Sequence, residues 1–389
     1  MAIHPSATAF SSLVESYFGE GTCLPLPGAD AGNPVTGAVG HSGYQTFKEN
    51  LRARLKRLAR AYGQPDRSRE TILTRLRDTT GRRWQGPYAE IVAASYFVTP
   101  RHASATFLTD PPTLDVDLAK ERTYCAEMGR AAANVDGHFA RGDIYFDVKV
   151  LKDNLAEVLD GVFAAVRTIP GRETLRLGAD HNHDTYYDDV VSVRDDLIAE
   201  LTGHFDPSKR PVGLASRVLP GFIFRATWGP GTLITEHGYN PERHASQLHL
   251  DVFGHMDKFV RDRPFVLVYV IFPWFNNVIN DFGDANRRFY RSLARRVFCQ
   301  YRYSTRPAST YASKFSGTQS LWDLSQDIAA IAFLEDKSIL GNTATKSKVH
   351  AFWYLNPNAR NPISESRFDD ILSLDLEHER REDFAHDNY

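Results

Sequence analysis

Two aspartates and a lysine, Asp136, Asp147 and Lys149, lie in a stretch of the chain, NVDGHFARGDIYFDVKV, that is otherwise typical of β-strands. Carboxylates that face each other repel, which destabilises the fold or raises the pKa of one of them. A hard divalent cation removes this repulsion, because Mg²⁺ takes oxygen ligands from one or two carboxylates, from waters and from a substrate phosphate. These residue types therefore indicate a metal site, with the lysine directed at an anionic substrate.

The elements that would position these side chains are two strands joined by a tight turn. Residues 140–143 are Ala-Arg-Gly-Asp, and Gly beside Asp favours a four-residue hairpin loop. Phe139 then pairs with Ile144. The same register places Asp136 directly opposite Asp147, with Cβ atoms about 5 Å apart, and the lysine two residues further on lies on the same face. The opposite face must pack on a core, because it is wholly apolar: Ile144, Phe146, Val148 and Val150.

This arrangement resembles the PD-(D/E)XK signature of restriction-endonuclease-like nucleases: Asp136, ten further residues, and then the triplet Asp-Val-Lys that ends at Lys149. In that family a helix before the sheet often carries a further glutamate. Glu90, in the helical pattern PYAEIVAASYF, is the candidate here. A predicted helix over 153–168 and later apolar strands suit the α-β-β-β-α-β core of the family, so the resemblance covers about 86–168.

The resemblance implies a metal-dependent endonuclease that hydrolyses DNA phosphodiester bonds. Asp136, Asp147 and Glu90 would hold one or two Mg²⁺ ions, with Mn²⁺ able to substitute, and Lys149 would orient the attacking water or stabilise the phosphate. The implied partner is double-stranded DNA, the implied assembly is a homodimer or a defence complex, and the implied biology is restriction or phage defence. Val135 stands where the family has a proline.

Plainer interpretations of the same residues stay open. Asp136 and Asp147 could be exposed acids of an edge hairpin, with Lys149 as their ion-pair partner. An acid such as Glu90 is favoured in the first turns of a helix by the helix dipole. At the level of function, the alternatives are a catalytically inactive nucleic-acid-binding or assembly subunit of the same fold, and a nuclease that acts on RNA.

Three further polar residue groups have structural explanations. Asp143 is about 13 Å along an extended strand from Asp147, which favours a turn residue over a metal ligand. His138 could line the site or pack as a neutral side chain. The run Asp-His-Asn-His-Asp over 180–184 is interpreted as a solvated loop.

The chain also lacks a G-x-x-x-x-G-K-[ST] motif, so ATP use is not expected.

Two basic segments could hold a nucleic-acid backbone. Residues 48–83 contain 12 Lys and Arg against 4 Asp and Glu, and residues 287–306 contain seven arginines and no acids. The second segment interleaves arginine with aromatic residues, which suits phosphate contact and stacking. Each segment could equally be the solvated face of a helix. The candidate contacts to nucleic acid are Arg82, Arg83, Arg287, Arg288, Arg291 and Arg295.

Size and composition predict a globular protein of one to three domains. The chain has 389 residues, of which 42% are hydrophobic and 24% charged. No 18-residue apolar run argues for a membrane span, and the first residues do not resemble a signal peptide. Three widely spaced cysteines make a disulfide framework or structural zinc unexpected, which favours the cytoplasm.

The predicted fold class is α/β (α+β): a mixed β-sheet flanked by helices, with a restriction-endonuclease-like core and additional elements. We expect an N-terminal arm over 1–44, a nuclease domain over 45–355, and an acidic C-terminal tail over 356–389 with charged helical character. The predicted helices are 6–18, 45–62, 68–78, 87–97, 117–132, 153–168 and 287–306. The predicted strands are 103–108, the hairpin strands, and the apolar segments near 221–228, 264–275, 327–334 and 348–355.

Overall fold

The computed structural model divides into two compact units. Unit 1 comprises Met1–Leu151, Leu250–Phe282 and Ala294–Tyr389, and unit 2 comprises Lys152–His249 and Gly283–Leu293. The residues that the structure describes are 4–26, 33–99, 110–127, 129–130, 132–151, 154–180, 187–229, 240–272, 284–312, 315, 317–339, 349–364 and 379–384.

The strands of both units are numbered in chain order. They are β1 (Thr113–Leu118), β2 (Ala133–Phe139), β3 (Ile144–Val150), β4 (Leu175–Asp180), β5 (Gly213–Ala215), β6 (Ile223–Trp228), β7 (Phe265–Ile271), β8 (Ala330–Asp336), β9 (Val349–Leu355) and β10 (Glu379–Asp383).

The helices are numbered in the same way. They are α1 (Pro5–Phe18), α2 (Pro34–Gly40), α3 (Gln45–Ala61), α4 (Arg67–Asp78), α5 (Gln85–Phe97), α6 (Asn154–Arg167), α7 (Tyr187–Ser192), α8 (Arg194–His204), α9 (Pro241–Phe253), α10 (Asp284–Cys299) and α11 (Leu321–Gln326). In the described part of the chain, none of these helices is long and apolar enough to cross a membrane.

Unit 1 is built on a seven-stranded mixed sheet with the strand order β1-β2-β3-β7-β8-β9-β10. The first three strands form an antiparallel meander. Strands β3, β7 and β8 run parallel to one another, β9 is antiparallel to β8, and β10 is parallel to β9. Strand β7 is buried along its whole length, as its continuous apolar sequence requires in a central parallel strand.

A helical layer formed by α1 to α5 shares one apolar core with a face of this sheet. Helix α3 contributes side chains at helical spacing, because Phe47, Leu51, Leu55 and Leu58 are all buried. Helix α4 begins at the cap residue Asp66, whose carboxylate accepts a hydrogen bond from the backbone N–H of Arg69 at 2.8 Å. Helix α5 is buried on most sides and lies against β3 in this core.

Unit 2 has its own small sheet and its own core. Strands β4, β6 and β5 pair antiparallel in that spatial order. Helices α6 and α8 pack their apolar residues with this sheet, and the buried side chains include Leu159, Leu197, Leu201, Phe222 and Phe224. The unit therefore has the internal apolar packing expected of a separate compact body.

The predicted fold class, a mixed sheet flanked by helices, is confirmed. The predicted helix over 117–132 is wrong, because Asp117 and Leu118 belong to β1 and the described residues that follow have a 3-10 turn over Lys120–Arg122 and no α-helix. The predicted N-terminal arm over 1–44 contains a helix that was not expected, α2. Its start carries a recognisable signal, since Asn33 accepts from Val35 and Thr36 and is followed by Pro34.

The C-terminal segment also differs from the prediction. Residues 379–383 form β10 at the sheet edge, whereas charged helical character was expected over 356–389. The predicted strand 103–108 lies outside the described residues. The predicted domain limits stay a prediction, and the end of unit 1's first segment at Leu151 falls inside the stretch 86–168.

Candidate active site

The predicted hairpin register is confirmed for the three pairs of the ladder, and the predicted pairing of Asp136 with Asp147 lies one step beyond them. Phe139 pairs with Ile144, and the ladder ends with Gly137 opposite Phe146. The turn uses the left-handed region, since φ is +99° at Gly142 and +53° at the following aspartate. Glycine adopts this conformation without strain, and aspartate is one of the few other residues that tolerate it. The local turn chemistry thus sets which residues of the two strands face each other.

The apolar reverse face of β3 lies in the core of unit 1, as predicted. Ile144, Phe146 and Val148 are buried there, and Val150 packs against the same core. This burial leaves the other face of β3 to carry Asp147 and Lys149. Beyond the last ladder pair the strands are joined by a side chain: the backbone N–H of Val148 donates to Asp136 Oδ2 at 2.7 Å.

Asp147 is completely buried and both of its carboxylate oxygens are engaged by ammonium groups. Lys149 forms an ion pair with Oδ2, and Lys258 Nζ donates to Oδ1 at 2.8 Å. Burial by itself would raise the pKa of Asp147, but the two lysines outweigh it and hold that pKa below its usual value. The carboxylate is therefore ionised and charge-compensated in the folded protein.

Asp136 is in the opposite electrostatic situation. Burial raises its pKa well above the usual value, and the carboxylates of Asp147 and Glu90 raise it further. Lys149 and Lys258 oppose these effects without cancelling them. Asp136 is consequently the carboxyl of the group that is protonated most readily, which lowers the negative charge of the group.

Glu90 lies on α5 and forms an ion pair with Arg75 of α4. Burial raises the pKa of Glu90, while Arg75 acts against that shift. Glu90, Arg75 and Asp136 line the same small cavity, of about 10 Å³, which is room for about one water molecule. The structure therefore brings all four predicted residues, Glu90, Asp136, Asp147 and Lys149, into one interacting cluster.

The donor set suits a hard cation in its chemistry, but the side chains are not arranged around one. Among the described residues, no group of three or more His, Cys, Asp or Glu side chains is placed to hold a metal ion. Three carboxylates supply the oxygen ligands that Mg²⁺ prefers, and the raised pKa of Asp136 is the kind of repulsion that a cation relieves. Basic side chains contact Asp147 and Glu90 instead.

Sequence reasoning missed two members of this cluster, Lys258 and Arg75. Lys258 ends a 3-10 turn, Met256–Lys258, that precedes β7, and it is 111 residues from Asp147. No short motif links the two positions. Arg75 is one of the many basic residues of 48–83, and only the packing of α4 beside α5 distinguishes it.

His138 and Asp143 lie together at the turn end of the hairpin. The His138 ring stacks on Tyr145 with centroids 4.3 Å apart, and its Nε2 lies 2.9 Å from Asp143 Oδ1. Asp143 also pairs with Arg263. These contacts agree with the expectation of a turn residue and a packed histidine. His181 and His183, of the polar run over 180–184, lie outside the described residues.

The predicted nucleic-acid contacts divide by exposure. Arg82 and Arg83 are exposed between α4 and α5, and Arg287 and Arg288 are exposed on α10. Arg291 and Arg295 are half-buried. Arg288 is paired with Glu242 at 2.8 Å. Helix α10 ends at Cys299, so the predicted helix over 287–306 is too long at its C-terminal end.

Part of the basic block over 48–83 is structural. Arg54 is buried and pairs with Asp336 at 3.2 Å, and its Nη1 donates to Tyr88 Oη at 2.8 Å. Arg67 pairs with Asp117 at 2.7 Å. These arginines join helices to strands, so the local excess of positive charge overstates the basic surface that the block presents.

No protein-family model, no curated protein and no solved structure matches this chain. The functional interpretation therefore depends on the side-chain geometry of the cluster and on the topology that positions it.

Proposed function

We propose that the protein is a metal-dependent nuclease of the PD-(D/E)XK kind that hydrolyses phosphodiester bonds in double-stranded DNA. The observation that carries this proposal is the cluster itself. Two aspartates from adjacent strands and a helical glutamate act on one another electrostatically, and a lysine two residues beyond the second aspartate contacts it. Such groupings of acids with perturbed pKa are typical of catalytic sites.

The topology supports the same proposal. Helix α5 is followed by the antiparallel strands β1, β2 and β3, and β7 lies parallel to β3. This order corresponds to the α-β-β-β-α-β core that the resemblance implies, with α6 and the remainder of unit 2 inserted before the last strand. Glu90 lies on α5, the helix before these strands, where that family often carries a further glutamate.

In the proposed reaction a water attacks phosphorus and one P–O ester bond breaks, which leaves a phosphate monoester and a hydroxyl. Asp136, Asp147 and Glu90 would hold Mg²⁺, or Mn²⁺ in its place, and the ion would lower the pKa of a bound water and offset charge on the phosphate. The ammonium groups of Lys149 and Lys258 contact the Asp147 oxygens and so lie beside the proposed site. Both ammonium groups would offset the negative charge of the reacting phosphate.

The wider biological assignments belong to the same proposal. We place the protein in the cytoplasm, because none of its three buried cysteines forms a disulfide, which suits a reducing compartment. Restriction or phage defence, acting as a homodimer or within a defence complex, is the biology that the proposed family implies. The exposed arginines Arg82, Arg83 and Arg287 are proposed contacts to the DNA backbone.

The decisive experiment measures cleavage of plasmid and linear DNA with Mg²⁺ and with EDTA. We expect Mg²⁺-dependent nicking or cutting by the wild-type protein, and a loss of at least about 100-fold in Asp147→Asn and in Lys149→Ala. Asp143→Asn is the matched control, since it removes a neighbouring aspartate of the hairpin and keeps a residue that tolerates the left-handed turn. Equal cleavage by all four proteins would reject the site.

A catalytically inactive nucleic-acid-binding subunit is the second candidate. It is favoured because lysines contact both Asp147 oxygens. The charge of this carboxylate is therefore compensated without a metal ion. Filter binding of DNA in EDTA separates the two candidates when it is combined with the cleavage assay. Tight binding by wild type with no cleavage of DNA or RNA under Mg²⁺ or Mn²⁺ would establish the second candidate.

A further inference from the structure

Unit 1 contains a second and larger cleft, which shares no lining residue with the cavity at Glu90 and Asp136. Its volume is about 560 Å³, which is within the range of small-molecule binding sites. The cleft is lined by two arginines together with acidic, amide and phenol side chains: Glu121, Tyr124, Arg261, Gln319, Asp323 and Arg360.

A buried carboxylate, Asp327, orients two of these side chains. The hydroxyl of Tyr124 donates to Asp327 Oδ2 at 2.6 Å, and Arg360 forms an ion pair with Oδ1 of the same residue. Asp327 is 1% exposed, so water does not compete for these contacts. Tyr124 and Arg360 are therefore held in fixed positions at the cleft.

Arg261 lies over the same tyrosine. Its guanidinium carbon is 4.9 Å from the centroid of the Tyr124 ring, a favourable cation–π distance. Its ion pair with Glu127 is long, at 3.8 Å. The planar guanidinium is thus oriented by an aromatic face while its N–H groups are only loosely engaged by that carboxylate.

Hydrogen bonds also fix the backbone at Arg261 and at Arg360. The Arg261 N–H donates to the carbonyl of Arg122 at 2.9 Å, and the Arg360 N–H donates to the carbonyl of Gln326 at 2.7 Å. The side-chain amide of Asn361 donates to the carbonyl of Arg261 at 3.0 Å. This last contact links the segment that carries Arg360 to the segment that carries Arg261.

The cleft is lined by charges of both signs, with Arg261 and Arg360 as the cations and Glu121 and Asp323 as the anions. Two guanidiniums lie beside one buried carboxylate, Asp327. The carboxylate of Asp323 is used by its own helix, because it accepts from the Ser320 hydroxyl at 2.7 Å, and Glu121 is exposed. A cleft with two oriented guanidiniums is suited to an oxyanion, since arginine presents a planar array of donors that matches phosphate.

We propose that this cleft binds a phosphate group, carried either by a free nucleotide or by the end of a nucleic-acid strand. Arg261 and Arg360 provide the donors, and Tyr124 and Asp327 fix their positions. The site does not depend on the carboxylate cluster, and its occupancy can be measured without metal. Its success or failure is therefore separate from that of the nuclease proposal.

The test is titration calorimetry on the full-length protein in EDTA. The probes are inorganic phosphate, deoxyadenosine monophosphate, and a short oligonucleotide with and without a 5′-phosphate. Arg261→Gln should weaken binding of the phosphate-bearing probes by about tenfold or more. The affinity of Arg261→Lys should lie between those of Arg261→Gln and wild type, because lysine keeps the positive charge and loses the planar pair of N–H donors. Arg176→Gln, at an exposed position of β4, is the matched control for charge.

The outcomes are distinct. Preference for the phosphorylated oligonucleotide over the unphosphorylated one assigns the site to a strand end, whereas binding of the mononucleotide without that preference assigns it to a free nucleotide. The proposal is overturned if wild type shows no saturable binding of any phosphate-bearing probe. It is also overturned if Arg261→Gln binds as tightly as wild type, with thermal unfolding showing that both proteins are folded.

Discussion

At the scale of single residues, Asp136 is a buried carboxyl that destabilises the folded protein when it is ionised. Its pKa is raised by burial and by two neighbouring carboxylates, so ionising it opposes folding. Asp136→Asn removes that charge and keeps an oxygen that can accept from Val148. We expect this variant to unfold in EDTA at a higher temperature than wild type, because it has no buried carboxyl to ionise at this position.

The difference in unfolding temperature between Asp136→Asn and wild type should depend on pH, because the pKa of Asp136 is raised in the folded protein. A carboxyl whose pKa is raised in the folded state weakens folding as pH rises from its usual value, about 3.9, through its raised value. The advantage of Asp136→Asn should therefore be largest near neutral pH and shrink toward about pH 4. Thermal unfolding across that range checks the prediction, and a constant difference at all pH values would contradict it. Added Mg²⁺ should stabilise wild type more than the variant.

Lys258, in contrast to Asp136, should stabilise the folded protein, because its ammonium group compensates the buried charge of Asp147. Lys258→Met leaves Oδ1 of the fully buried Asp147 without the ammonium group that now contacts it at 2.8 Å. We expect a loss of about 1–3 kcal/mol in the free energy of unfolding at pH 7. The exposed Lys56→Met on α3 is the control and should change little.

The pH dependence of the stability lost in Lys258→Met is set by the pKa of Asp147. Its pKa is lowered in the folded state, since the two lysines outweigh the effect of burial, so its contribution is present above the usual pKa and is lost as pH falls through the lowered value. Without Lys258 the loss should begin at a higher pH. Urea unfolding in the Asp147→Asn background gives the coupling between the two residues, and equal effects of Lys258→Met in both backgrounds would show that they do not interact.

At the scale of elements, the hairpin depends on a glycine that faces the core. A Cβ at Gly137 would lie 2.2 Å from the ring of Phe146. That ring is confined, because its centroid is 4.9 Å from that of Phe97 and 5.1 Å from that of Phe139. Gly137→Ala should therefore cost about 1–3 kcal/mol through overpacking.

Chemical denaturation measures this cost, and a second substitution tests its cause. Phe146→Leu in the Gly137→Ala background should recover part of the lost stability, since the smaller side chain leaves room for the new methyl group. Gly161→Ala on α6 is the control, because nothing lies within 4 Å of its added Cβ and alanine is favoured over glycine in a helix. Equal destabilisation by the two alanine substitutions would refute the steric explanation.

At the scale of the whole molecule, each of the two units has a separate apolar core. Leu201→Ala removes a fully buried side chain from the core of unit 2 and should lower its stability by about 2–5 kcal/mol. Hydrogen exchange followed by mass spectrometry should show faster exchange in α8 and β6. Exchange in β3 and β7 of unit 1 should stay as in wild type, and an equal loss of protection there would show that the molecule unfolds as one unit.

Much of the hairpin and the helical layer was predictable from sequence, because their signals are local. Glycine beside aspartate sets the turn, the alternation of side chains along β3 separates Asp147 and Lys149 from the apolar face, and the spacing of Leu51, Leu55 and Leu58 indicates α3. Each of these signals acts within a few residues of the chain. They suffice to predict the strand pairs from Phe139 and Ile144 to Gly137 and Phe146, next to Asp136 and Asp147.

Other features were decided only by tertiary structure, because they depend on pairings between distant segments. Parallel pairing of β7 with β3 brings the neighbouring Lys258 to Asp147 across 111 residues, and packing of α4 beside α5 brings Arg75 to Glu90. The charged segment 379–383 becomes a strand because the edge of β9 offers it hydrogen-bond partners. Whether each acid is exposed, compensated or left with excess charge is set by these long-range contacts, so the electrostatic state of the cluster could not be inferred from the order of its residues.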